Sequence, residues 1–187
     1  MKHAGLITLA LGLLATSAMA QTPPPPPGPP AAPPPPVTGP AGIGAAKALT
    51  PDMEVPLEQA IDAARTALEA CRAINSAAVV GVVDLNGNFK VLLRADGVGL
   101  PFYEFMRRKA YTVLKKGMAS GDFGALPQNV GLPRTAVIEG DPGLIVFPGA
   151  VPIKRGQTTI GVLSVSGPTG GANDMKCTTA GMAKFHL

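Results

Sequence analysis

The sequence predicts an α+β domain, an antiparallel sheet of short strands with helices packed on it. Two observations carry that expectation. Val-rich segments follow one another across tight turns at Asn86-Gly87 and Arg155-Gly156, and sequential strands joined in this way pair antiparallel. Around them lie segments whose apolar residues recur every three or four positions, the spacing of a one-sided helix. The order is helix, hairpin, helix, three strands, helix, unlike the strict alternation of a doubly wound α/β fold.

The first expected helix covers 57–74, where Leu57, Ile61, Ala64, Leu68 and Cys71 form an apolar stripe and Pro56 suits the entry. Residues 77–94 read as a β-hairpin turning at Asn86-Gly87. Pro101 opens a second helix over about 101–118, with Phe102, Met106, Ala110, Val113 and Gly117 facing inward. Residues 119–142, rich in Gly, Pro and Asp, read as a long loop. Leu144-Ile145-Val146-Phe147 reads as a short strand ended by Pro148-Gly149. Val151–Lys154 and Thr158–Ser166 read as two further strands. Gly167 to Gly171 then leads to a last helix over about 173–184, with Asn173 or Asp174 as its cap.

The chain before this domain divides in two. Residues 1–20 read as a cleavable signal peptide: Lys2 and His3, an apolar run from Leu6 to Ala15, and a small-x-small site at Ala18-Met19-Ala20. That run is too short to span a bilayer, so the expectation is a periplasmic or secreted protein with no membrane span in the mature chain. Residues 21–48 read as a proline-rich linker, because 12 of the 21 prolines fall between Pro23 and Pro40. Such a segment favours an extended polyproline II spacer and cannot pack a core. The folded domain is expected over 49–187.

Composition narrows the function. A net charge of +4 without a basic run, and 4% aromatic residues, give neither the basic stripe nor the stacking rings of a nucleic-acid surface. With His3 in the signal, His186 near the C-terminus is the one histidine of the mature chain. That excludes a multi-histidine metal site and disfavours Ser-His-Asp chemistry. Gly167-Pro168-Thr169-Gly170-Gly171 lacks the Gly-Lys-Ser/Thr ending of a P-loop and reads as a turn before a helix. Arg107 and Arg108 read as solvated, whereas Lys109 lies beside the inner stripe and could lean into a cleft to hold a carboxylate or phosphate. Cys71 and Cys177 could form a disulfide in an oxidising compartment or stay as two buried thiols.

Several stretches together resemble the GlcG/HbpS family, which is similar to the C-terminal domain of PduO-type proteins. They are Leu57-Glu58-Gln59-Ala60, Val82 to Asn88, Arg94-Ala95-Asp96-Gly97, Lys109-Ala110, Phe147 to Ile153, Ile160 to Gly167, and Asp174, Cys177 and Gly181. The resemblance covers about residues 54–184. It implies a five-stranded antiparallel sheet of profilin- or PAS-like type, self-association into homo-oligomers, and haem as a cofactor of some members. It places a ligand pocket near Lys109, Ser164, Ser166 and Gly167, with Arg94, Asp96 and Asp174 as further ligand-binding candidates. One departure matters. Haem-binding relatives use a histidine near the domain start, and residues 43–70 contain none. A haem iron here would need His186, a methionine, or a tyrosine such as Tyr103 or Tyr111.

The leading expectation is an exported, non-enzymatic protein that binds a small anionic ligand, haem included, between the sheet edge and the second helix. Its rivals are an enzyme acting on a small acid or a tetrapyrrole, through Lys109 with Asp96 or Asp174, and an oligomeric structural module tethered by the proline arm.

Overall fold

A computed structural model describes residues 49–133 and 136–187. The expected signal peptide and proline-rich linker lie outside the described residues. The elements are α1 (Leu57–Ala73), β1 (Val79–Asp84), β2 (Phe89–Arg94), α2 (Leu100–Lys116), α3 (Ser120–Gly124), β3 (Ala150–Arg155), β4 (Thr158–Ser166) and α4 (Gly171–Met182).

The α+β reading holds, but the sheet among the described residues has four strands rather than five. Their order is β2-β1-β4-β3, all antiparallel. The expected strand at Leu144–Phe147 is irregular chain outside the sheet. Side chains of α2 take the backbone bonds that a partner strand would have made. Thr112 Oγ1 accepts from Ile145 N–H at 3.0 Å, and Arg108 Nη2 donates to the Leu144 carbonyl at 2.6 Å. Leu144, Ile145 and Val146 are thereby buried without strand pairing. Arg108 is therefore not the solvated residue expected from the sequence, and α3 interrupts the expected loop over 119–142.

The central strands β1 and β4 are buried on both faces, as their Val-rich runs require. On one face Met106 of α2 packs over Gly81. On the other, Leu163 meets Gly181 of α4, which lies against α1. The α1–α4 contact is close. A Cβ on Gly181 would stand 2.7 Å from the Ala63 carbonyl oxygen and 3.0 Å from the Ala67 Cβ. Only small residues fit there, so the buried face of α1 is Ala60, Ala63, Ala64, Ala67, Leu68 and Cys71, while Leu57 of the expected stripe is half exposed.

Cys71 and Cys177 are joined by a disulfide, with their Cα atoms 5.3 Å apart, which ties α1 to α4. Closing a loop of 106 residues removes denatured-state entropy worth about 4–5 kcal/mol in the chain-entropy model. At the hairpin end of the sheet the entering chain is clamped. Lys90 pairs with Glu54 and donates to the Val55 carbonyl at 3.0 Å, and Arg155 donates to the carbonyls of Asp52 and Glu54.

Candidate functional site

Two places at the opposite end of the sheet could hold a ligand, and α2 contributes to both. The first is built on Lys109. Its ammonium donates to Asp174 Oδ2 at 2.6 Å, the Val165 carbonyl at 3.0 Å and Ser166 Oγ at 3.4 Å. The Lys109 and Asp174 side chains are 3% and 2% exposed. Asp174 stands in the first turn of α4, where the helix dipole favours a negative charge. It serves as Lys109's counter-ion, and no side chain caps this helix. Two charges are tolerated in so dry a place because each is paired and hydrogen-bonded.

Gly149 closes this arrangement. Its φ is +133°, and a Cβ there would stand 2.5 Å from the Val165 carbonyl oxygen and 2.7 Å from Lys109 Nζ. No other residue can pass so close to the ion pair in that conformation, which accounts for the glycine in Phe147-Pro148-Gly149-Ala150. Thr178 Oγ1 lies 2.9 Å from the Gly149 carbonyl oxygen and 2.8 Å from that of Asp174, fixing both. Phe105, Ile145, Phe147, Ser166 and Gly167 wall off a remaining cavity of about 10 Å³, the space of a single water.

The second place is a groove of about 460 Å³ between β2 and the start of α2, lined by Val79, Leu92, Arg94, Val98, Leu100 and Tyr103. Of its apolar residues, Leu92 and Leu100 are 43% and 72% exposed, whereas Val79 and Val98 are buried. Arg94 Nη1 donates to the Val98 carbonyl at 2.6 Å, which fixes the loop entering α2. The Tyr103 ring leans on Phe89 with centroids 6.0 Å apart. Arg94 and Ser166 both pair with Val79 in the ladder, so the two places are separated by two strand spacings, about 10 Å.

The seven residues expected to bind ligand are thus dispersed. Lys109, Ser166, Gly167 and Asp174 come together around the small cavity. Ser164 lies deeper in the same row and donates to the Met106 carbonyl at 2.8 Å. Arg94 lines the groove, and Asp96 faces a separate recess with Arg72, Asn75 and Ser76. Sequence reasoning missed Leu92, Val98 and Leu100. Their signal is faint: a leucine outside the inner stripe just before Pro101, and another on the half-exposed strand β2.

The two tyrosines differ sharply. Tyr111 is 5% exposed and its hydroxyl donates to Asp141 Oδ2 at 2.8 Å. Burial first, then the bond to Asp141 and its charge, push the phenol up to about 12. Burial would raise the Asp141 carboxyl, but the Tyr111 hydroxyl, the Gly143 amide and the charges of Lys115 and Lys116 hold it below its ordinary value. Tyr103, in contrast, borders open space. Among the described residues no three His, Cys, Asp or Glu side chains converge as a metal site, and no helix is long and apolar enough to cross a membrane.

Residues 55–183 match the family described as haem degrading protein HbpS-like. The crystal structure of HbpS superimposes with a TM-score of 0.64 at 30% identity, covering 76% of this chain and 99% of that one. A double mutant of HbpS from Streptomyces reticuli gives 0.62 at 30% identity over 76% and 96% of the two chains. The complex of PduOC with heme gives 0.60 at 21% identity over 71% and 96%, a likeness of fold alone. No curated protein sequence matches significantly.

Proposed function

Since the chain belongs to the HbpS-like family, we propose that it is an exported protein that binds haem in the groove between β2 and the start of α2. The observation that carries this reading is the groove itself. It has the volume of a small-molecule site, apolar walls for a flat ring, and one cation on its rim for an acidic substituent. The cavity beside Lys109 does not fit, since about 10 Å³ admits no porphyrin and the lysine's charge already meets Asp174. Leu92, Val98 and Leu100 would cover the ring and shield it from water, and Arg94 would face a propionate. Bound haem supplies an iron centre whose chemistry the pocket's polarity and donors set.

Export is part of the same reading. Residues 1–20 carry the pattern of a secretory signal, and the Cys71–Cys177 disulfide suits an oxidising compartment. Self-association belongs to it as well, supported by exposed Leu57, Val130 and Val137 at 50%, 69% and 64%.

Titrating hemin into the purified protein tests the haem reading. A saturable Soret shift, with a matching mass increase in native mass spectrometry, is expected. An unchanged spectrum and mass would sink it. The family's description as haem degrading favours a second reading, turnover rather than storage. A bound Soret band that decays, with haem lost on solvent extraction, would support turnover; a persistent band supports binding.

A further inference from the structure

We propose that Tyr103 is the protein ligand of the haem iron, through its phenolic oxygen. The inference rests on the haem reading above and goes beyond it by assigning the iron donor.

The donors available to iron can be taken in turn. His186 lies at the C-terminus, where its backbone N–H donates to Gln59 Oε1 of α1 at 3.0 Å. That is the side of the sheet covered by α1 and α4, away from the groove. Met106 is fully buried over Gly81, and no other described methionine lines the groove. Both cysteines are consumed in the disulfide. Lys109 is buried against Asp174, and Tyr111 is held by Asp141. Of the groove's lining residues, Val79, Leu92, Val98 and Leu100 carry no donor atom, and a guanidinium has no lone pair to give. Tyr103 remains, and a tyrosine oxygen is an established type of haem ligand.

The surroundings suit that role. Tyr103 projects from the first turns of α2, a rigid helix whose entry is fixed by the Arg94–Val98 bond. Phe89 supports one side of its ring. Arg94 lines the same groove and would place a cation beside an acidic substituent of the ring. Leu92 and Leu100 flank the tyrosine and would cover the ring's faces once it is bound. The missing histidine near the domain start is thereby replaced by a donor from a different element.

The test uses the full mature chain and ferric hemin, with wild type, Tyr103→Phe and Tyr103→His compared. Wild type is expected to show a phenolate-to-iron charge-transfer band and its resonance Raman vibrations. Tyr103→Phe keeps the ring on Phe89, so its circular dichroism should be unchanged, while the phenolate signature disappears and hemin affinity falls at least tenfold. Tyr103→His should give an imidazole-ligated spectrum instead. If hemin binds and Tyr103→Phe retains both the wild-type spectrum and affinity, the assignment is overturned and the haem reading survives. If wild type binds no hemin, the haem reading itself falls and takes the assignment with it.

Discussion

The Lys109–Asp174 pair and the Tyr103 groove share one end of one sheet, yet water treats them in opposite ways. Beside β4, two full charges are sealed under Phe105, Ile145, Phe147 and Gly149 with room for about one water. Beside β2, large apolar side chains stand open to solvent around a polar tip. The first buries charge by pairing it; the second leaves apolar surface exposed, and it is there that the haem is proposed to bind. A buried charge that a protein already neutralises is spent on structure, whereas exposed apolar surface with a cation at its edge is still available. Lys109, expected from the sequence as a ligand-binding residue, is buried and already paired with Asp174.

Breaking the pair should have the largest effect. Asp174→Ala leaves an ammonium buried without its counter-ion, so unfolding in urea should show a loss of about 3–5 kcal/mol. The double change Lys109→Met with Asp174→Leu should recover much of that loss, because well-packed apolar replacements of a buried ion pair are often near neutral. A loss within experimental error for Asp174→Ala would mean that the pair does not hold the fold.

The groove should give the converse pattern. Leu100→Asp, at a position 72% exposed, should change stability by no more than about 0.5 kcal/mol. It should lower hemin affinity tenfold or more in the same titration. Equal affinity in wild type and variant would move the ligand elsewhere.

The smallest effect separates the tyrosines. The folded Tyr111 phenol is raised from 10.0 to about 12, so its contribution is complete below pH 10 and is lost as pH rises toward 12. In a Tyr103→Phe background, where Tyr111 is the one tyrosine of the two left, tyrosinate absorbance should appear in the upper part of that window. Titration at the ordinary phenol value would show that the Asp141 contact does not persist in solution.

Local signals carried most of the fold. Asn86-Gly87 marked the hairpin, and there Asp84 Oδ1 accepts from the amides of Asn86 and Asn88, at 2.8 and 2.9 Å. What the sequence hid were substitutions of one kind of partner for another. Leu144–Phe147 has a strand's composition, but Thr112 and Arg108 satisfy its backbone from a helix 33–36 residues away. Asp174 was expected as a cap, but it lies within the first turn of α4, whose N-cap is Gly170, and turns inward because Lys109 arrives from 65 residues upstream. On the first helix the expected stripe was right at Ala64, Leu68 and Cys71, whereas the close approach of α4 turned the buried face toward Ala60, Ala63 and Ala67 in place of Leu57. The partners in the first two cases are set by residues distant in the chain and leave no local trace. The groove was anticipated by place, between the sheet edge and the second helix, but most of its lining was not, since exposed leucines carry no distinctive spacing.

The clamp formed by Lys90 and Arg155 on residues 52–55 fixes where the chain enters the domain. The chain enters at the pole where β1 ends, and the groove opens at the pole where β1 begins, about 17 Å away by strand rise. Force applied at Leu49 would therefore load the clamped strand ends first, at the pole away from the groove.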